Sequence, residues 1–323
     1  MVDQNKAYTA KDIDSVESIA THDGRFHSDD VFSVASVTYL NPKIEVLRTR
    51  NPEALRDADL RIDVGGKYDP ETGDYDHHQK GGAGARENGV PYASFGLIWN
   101  DYGSRVSELL MRGENVDEDF IRQIGIDPVS DPEKVAALMD EILVQPIDNY
   151  DVNGPPLTPE GQVKPIYLQN LVNSFGDTFH TASNDNFDEA VRYAQENLKR
   201  WNRQAHSGIL AEDIWDRALE ENKQDGFVVL DLDRFVPYQS LNDRDVLYCV
   251  QKAGQNYVVL SLSGPDGLKK PLPDDWQGLR GSDLSEATGV SDTTFMNKDF
   301  SIYASSLDGA ITLAKKAVDY KRD

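Results

Sequence analysis

The 323-residue chain has a single cysteine, Cys249, inside the apolar stretch "DVLYCVQ". One thiol excludes an internal disulfide framework and a thiolate metal cluster, and it fits a reducing, cytoplasmic setting. Long apolar runs are missing too. The most hydrophobic windows, "FVVLDL" and "YVVLSLSG", are strand-length and flanked by polar residues, so no membrane span is expected. The first residues, "MVDQNKAYTAKDIDSVES", carry no basic region leading into an apolar core, so no secretory leader is expected. Bases are scarce, 33 Lys and Arg against 56 Asp and Glu, for a formal charge of −23. That balance repels nucleic acid at long range, so a polyanionic substrate must be met locally, by metal ions or a small basic patch. The hydrophobic fraction, 39 %, is enough for a substantial core, and the length suggests two domains.

Histidine is also rare, six in all, yet four of the six fall in two short clusters. The first is "ATHDGRFHSDDVF", residues 20–32, where His22 and His27 stand among Asp23, Asp29 and Asp30. The second is "GDYDHHQKGGAGARENG", residues 73–89, where Asp76, His77 and His78 precede a glycine-rich loop. A third acidic point is "VQPIDNYD", with Asp148 after a helix that Pro146 is expected to interrupt.

The first 65 residues alternate strand and helix. "VESIAT", "KIEVLRT" and "ADLRIDVGG" read as strands, and "SDDVFSVASVTYL" as an amphipathic helix opened by Ser28. This alternation predicts a parallel sheet with ligands at the carboxyl ends of its strands, where "THDGRFHSDD" and "DVGG" fall. From Tyr92 the pattern turns helical, and beyond Gln224 it returns to strands and a closing helix, "LDGAITLAKKAVDY". We therefore expect an α/β fold: a parallel-sheet domain with a helical insert over residues 1–223, and a smaller α+β domain over 224–323.

Two nearby divalent cations can clamp the attacking and leaving oxygens of a phosphoryl displacement, and they need carboxylates, one of them bridging, with imidazoles to tune affinity. His22, His27, Asp29, Asp63, His77 and Asp148 supply such a mixed set, which favours Mn²⁺, with Mg²⁺, Co²⁺ or Zn²⁺ as alternatives. His78 is left to face substrate. Other residues have plainer readings. Asp30 places favourable charge in the first turn of a helix. Asp69 and Asp151 read as turn residues, Asp76 as a support for His77, and His180 and His206 as structural. In "KGGAGARENG", Lys80 and Arg86 offer positive charge within an anion nest or a mobile gate, or in a plain surface loop. Trp276 reads either as a base-stacking platform or as a core anchor.

"DHH" at 76–78, with an aspartate at a strand end before it and an N-terminal His/Asp motif, resembles the DHH phosphoesterase superfamily. Within it, "THDGRFHSDD", "DVGGKYDPETGDYDHHQ", "IDNYD" and "LPDDWQGLRGSDLSEATGV" are similar to segments of the Myg exonuclease family. The likeness runs from about residue 18 to the C-terminus. It implies a dimetal phosphoesterase with a smaller second domain, regarded in the family as a 3′–5′ RNA exonuclease. By position, His22, His27 and Asp29 would hold one metal side, Asp63 would bridge, and His77 with Asp148 would hold the other. His78 would contact the scissile phosphate, with Arg280 reaching it from the second domain. The chain departs from the family at "FMNKDF", where Asn297 stands in place of a histidine; it can donate to a phosphate but carries no titrating proton.

The expected function is a divalent-metal-dependent phosphodiesterase working by two-metal-activated attack of water on phosphorus. Its expected substrate is RNA or an oligonucleotide, with the oligomeric state open and a homodimer among the options. Two alternatives stand beside it: a small-molecule phosphoesterase acting on pyrophosphate or a cyclic or linear dinucleotide, and a non-catalytic metal-binding regulator.

Overall fold

The computed structural model describes residues 9–113, 117–125, 131–155, 165–176 and 183–321. They group into two compact units, within Met1–Val116 and Ser130–His206, and within Asp117–Val129 and Ser207–Asp323. The fold is mixed α/β, as expected.

The first unit begins with β1 (Ser18–Thr21), α1 (Ser28–Leu40), β2 (Glu45–Arg48), α2 (Pro52–Asp57) and β3 (Leu60–Ile62), followed by the short β4 (Tyr68–Asp69) and β5 (Asp74–Tyr75). These strands form one sheet in the order β2-β1-β3-β5-β4. The pairs β1–β2, β1–β3 and β3–β5 are parallel and only β4 runs antiparallel. The chain leaves β1 to one side and returns to its other side at β3. The sheet therefore has a switch point between β1 and β3, where a crevice opens at the carboxyl ends.

Helix α1 differs from its expected amphipathic form. It begins at Ser28, as expected, with His27 at the N-cap position, but it is buried from Ser28 through Val37. Its polar residues are mostly small serines, and Ser36 turns its hydroxyl back onto the Phe32 carbonyl, 2.9 Å away, so the helix tolerates burial on all sides. Phe32 meets Phe95 of α3 (Ser94–Arg112), with ring centroids 5.5 Å apart.

After α4 (Glu118–Gln123), which belongs to the second unit, come α5 (Pro132–Met139) and α6 (Gln145–Asn153). A π-helical segment, Asp140–Val144, joins α5 to α6. Pro146 therefore does not interrupt the path as expected. The wider turn ahead of it accommodates a ring with no N–H to donate. Two further helices are α7 (Leu168–Asn173) and the 39-residue α8 (Asn184–Asn222), along which the division between the units falls.

The second unit continues with β6 (Lys223–Gln224), β7 (Phe227–Leu230), β8 (Tyr248–Ala253), β9 (Asn256–Ser261), β10 (Ser263–Gly264), β11 (Gly267–Leu268), α9 (Gly281–Thr288), β12 (Thr293–Asn297), β13 (Ser301–Ala304) and α10 (Leu307–Asp319). Its main sheet has the order β12-β13-β9-β8-β7-β6. Only β7 and β8 pair in parallel there. Tyr248, Val250, Val259 and Ile302 from the strands, with Leu313 and Ala317 of α10, make one apolar core that includes Trp276.

One polar residue ties the start of β1 to that of β3. Asp59 Oδ2 accepts from the Glu17 and Ser18 amides at 2.9 and 3.1 Å and from the Ser18 hydroxyl at 3.2 Å. Burial alone would raise the Asp59 pKa, but these donors hold it below the ordinary value. Its contribution is therefore present above the unfolded carboxyl pKa and lost as pH falls through the folded one. We expect Asp59→Ala to cost about 1–3 kcal/mol in urea unfolding at neutral pH, with Asp59→Asn costing less because it keeps an acceptor. Equal stability of all three proteins would refute this role.

Candidate metal centre

Three adjacent parallel strands each hand over to a functional residue at the carboxyl edge. His22 follows Thr21 of β1, Asp63 follows Ile62 of β3, and Asp76 with His77 follows Tyr75 of β5. The sheet order thus aligns residues that lie far apart in sequence.

Asp63 sits in a left-handed conformation, φ 55°, which is unusual for a residue with a side chain. Its amide donates to the Tyr75 carbonyl at 3.0 Å, and its Oδ1 accepts from the Ser94 hydroxyl at 3.0 Å. The carboxylate lies among three imidazoles. His22 Nε2 is 3.2 Å from Oδ2, and His77 Nε2 and His78 Nδ1 are 3.3 and 3.4 Å from Oδ1. Burial alone would raise its pKa, but the histidines outweigh it and hold the group well below the carboxylate range.

His22 places Nδ1 3.1 Å from the Asp23 carbonyl, which leaves Nε2 for Asp63 and for Asp30 Oδ2, 3.1 Å away. Asp30 does more than put charge in the first turn of α1. Its other oxygen accepts from the His27 amide at 2.8 Å, so one carboxylate both caps the helix and orients His22. Asp76 supports His78, not His77 as expected. Its Oδ1 takes the His78 amide at 3.0 Å and Nδ1 at 2.8 Å, while Oδ2 accepts from the Gly66 amide.

The first turn of α1 and the body of α6 supply the rest. His27, Asp29 and Asp151 bring one ligand atom each to within 4.8 Å of one another. Two further groups meet the same criterion, His22 with His27 and Asp63, and Asp63 with His77 and His78. Asp63 and His27 each belong to two of the three.

Asp151, expected to be a turn residue, is therefore at the site, with Oδ2 3.2 Å from His77 Nε2. Asp148, the expected ligand, is otherwise engaged. It is fully buried; Oδ1 accepts from the Gly96 amide at 2.9 Å and Oδ2 from Arg86 Nη1 at 2.9 Å. The two aspartates are three residues apart on α6, close to one helix face, and Arg86 decides between them. Arg86 is correspondingly not a surface cation awaiting phosphate. Its side chain is 8 % exposed, and the guanidinium forks onto Asp140 and Asp148 and stacks 4.3 Å from the centroid of Tyr92. Lys80 is exposed in the glycine-rich loop.

The residues present fit divalent cations. Asp29 is fully buried and, among the described residues, neither of its oxygens receives a hydrogen bond. Burial first, then the neighbouring Asp63, Asp151 and Asp30, push its pKa well above the carboxylate range. A buried carboxylate beside other carboxylates is costly unless a cation joins it. The donor set is hard oxygen with imidazole and no thiolate, which matches the intermediate first-row ions and Mg²⁺. A cleft of about 650 Å³ opens on these groups, lined in part by His22, His27, Asp63, Asp76 and His78.

Arg280, Asn297 and Trp276 lie in the second unit. Arg280 and Asn297 are exposed, and the Arg280 guanidinium is 5.1 Å from the centroid of Phe295. Trp276 is 6 % exposed within the apolar core, so it anchors packing and offers no open face for a base. His206 is buried, and His180 falls outside the described residues.

Comparison with known proteins adds a family to this geometry. The model MYG1_exonuc, described as "Uncharacterised protein family (UPF0160)", matches residues 18–318. A MYG1 protein of Schizosaccharomyces pombe is 25 % identical over 340 residues, spanning 96 % of this chain and the whole of that protein. The MYG1 exonuclease of Mus musculus is 27 % identical over 331 residues, and that of Homo sapiens 26 % over 333. Each alignment covers 92 % of this chain, with 83 % of the mouse protein and 84 % of the human one.

Two outcomes follow from the local chemistry. A Cβ at Gly96 would lie 1.9 Å from Asp148 Oδ2 and 2.7 Å from Arg86 Nη2. Gly96→Ala, which in an open helix would stabilise by about 1 kcal/mol, should here destabilise by about 1–3 kcal/mol in chemical denaturation; a gain in stability would contradict the packing. Second, a cation at this site competes with protons for the histidines. Burial lowers the His22 and His77 pKa values, but their aspartate partners raise them overall to about 10 and about 9. A cation must displace these protons, so apparent Mn²⁺ affinity should rise between about pH 6 and pH 9, with net proton release. Calorimetry in buffers of different ionisation heat measures that release, and its absence would rule out these histidines as ligands.

Proposed function

Since the chain belongs to the MYG1 exonuclease family, we propose that it is a divalent-metal-dependent phosphodiesterase of the DHH type, shortening RNA or short oligonucleotides from the 3′ end. The observation that carries this reading is Asp63, one carboxylate shared between two ligand groups at the switch point of a parallel sheet. Two divalent cations, Mn²⁺ foremost, held by His22, His27, Asp29, Asp63, His77 and Asp151, would acidify a water and neutralise phosphate charge.

The chain's own residues do the remaining work. His22 keeps Nε2 turned to the site through its Nδ1 contact with the Asp23 carbonyl. Asp76 fixes His78 through Nδ1 and leaves Nε2 of this 61 % exposed side chain for the cleft. There it can donate to a phosphoester oxygen or protonate the departing one. Arg86 and Gly96 hold Asp148, and with it the turn of α6 that carries Asp151. Arg280, Asn297 and Lys80 are exposed, as a contact to a phosphate chain requires. The names of the mouse and human relatives, both exonucleases, support a nuclease. The formal charge of −23 favours short substrates over long ones.

The test is hydrolysis of a 5′-labelled RNA series, from dinucleotide to a long oligomer, with added Mn²⁺. Stepwise shortening from the 3′ end is expected, with none in Asp63→Asn and a loss of about 10- to 100-fold in Asp76→Asn. Cleavage of only the shortest members would move the function to a small-molecule phosphoesterase. Metal binding without any turnover would point to a non-catalytic role.

A further inference from the structure

The cleft is lined by Arg25, Arg50, Leu55 and Gly65 as well as by candidate metal ligands. Arg50 lies two residues beyond β2, so the edge that presents His22 after β1 and Asp63 after β3 presents an arginine after β2. Its Nη1 donates to the carbonyl and to the carboxylate of Asp23, and the same carbonyl is 3.1 Å from His22 Nδ1. A guanidinium and a site-facing imidazole thus share one acceptor. Arg50 remains 58 % exposed. Arg25, three residues after His22, is also exposed and has no hydrogen bond or ion pair among the described residues.

Clamping of the Asp23–Gly24 turn does not by itself account for these arginines. Arg48 already donates to the Gly24 carbonyl, with its guanidinium 5.5 and 4.7 Å from the ring centroids of Phe26 and Phe187. Elsewhere in the unit, Arg61 and Arg86 are closed off by buried carboxylates. In a chain with 56 acids and 33 bases, the unpaired Arg25 and the half-exposed Arg50, paired with Asp23 through Nη1, bring cationic groups into the lining of the cleft that holds the imidazole–carboxylate cluster.

We propose that Arg25 and Arg50 form a subsite for a second phosphate, the one next to the phosphodiester presented to the His/Asp cluster. The subsite rests on the phosphodiesterase reading above and narrows it: the chain selects substrates with two linked phosphates over isolated phosphodiesters. Leu55, in the same lining, would offer an apolar contact to the nucleoside between them. Arginine suits this task because its planar fork matches phosphate oxygens.

The experiment compares two substrates, a trinucleotide with linked phosphates and bis(p-nitrophenyl) phosphate, which has one. Both are assayed with Mn²⁺ on the full chain, on Arg25→Glu and on Arg50→Ala. In parallel, binding of a fluorescein-labelled 2′-O-methyl tetranucleotide is followed across salt concentrations. Each variant should lower the trinucleotide preference about tenfold or more, weaken tetranucleotide binding similarly, and reduce the salt slope by about one. An unchanged preference, or equal loss on both substrates, overturns the subsite while leaving the phosphodiesterase reading intact. Hydrolysis of neither substrate by the unaltered chain, with tetranucleotide binding still lost in the variants, upholds the subsite and overturns the phosphodiesterase reading.

Discussion

A carboxylate taken from water into a protein interior must find donors or a cation, and Asp29 accepts no hydrogen bond among the described residues, with His77 Nε2 standing 3.8 Å from its Oδ2. Asp63, Asp151, Asp30 and Asp148 lie near enough to push its pKa upward together with burial. Three histidines offset part of this charge, their pKa values raised by the aspartates around them. The fold around the site can be understood as the means of holding that uncompensated charge in place. Asp30 caps α1 and steers His22, Ser94 steadies Asp63, and Gln169 receives the Ser28 amide and hydroxyl at 2.7 and 2.9 Å in the first turn of α1.

Topology does the rest. Parallel strands end on one edge, and reversal of the strand order between β1 and β3 leaves a crevice there. Four strand ends in a row then grade from arginine after β2, through histidine after β1 and aspartate after β3, to the Asp-His-His run after β5. Metal ligation and anion binding become neighbouring functions of one edge. The backbone pays at Asp63, whose positive φ is the kind of strain found where a side chain must be aimed.

Much of this was legible in the sequence, because strand-end motifs are local. Alternating strands and helix in the first 65 residues placed His22 and Asp63 at the carboxyl edge, and the α/β class followed from the same alternation. What failed to show was the outcome of long-range competition. Asp148 and Asp151 are both acids on one turn of α6, and only Arg86, about sixty residues earlier, assigns one to an ion pair and the other to the site. Arg86 itself looked like a phosphate contact because loop composition does not reveal a buried partner. Trp276 posed the same difficulty, since core packing and base stacking demand the same residue type. Asp30 and Asp76 were credited with narrower or different roles because orientation of an imidazole is set by angles that spacing does not encode.

The central claim is that the buried carboxylates form a cation site with Asp63 at its centre and Asp151, not Asp148, completing it. Anomalous diffraction from crystals grown with Mn²⁺ tests it most directly. The account predicts anomalous peaks on both sides of Asp63, with Asp29 and Asp151 coordinating and the Arg86–Asp148 pair intact. No peak at Asp63, or Asp148 released from Arg86 to take up the ion, would contradict it.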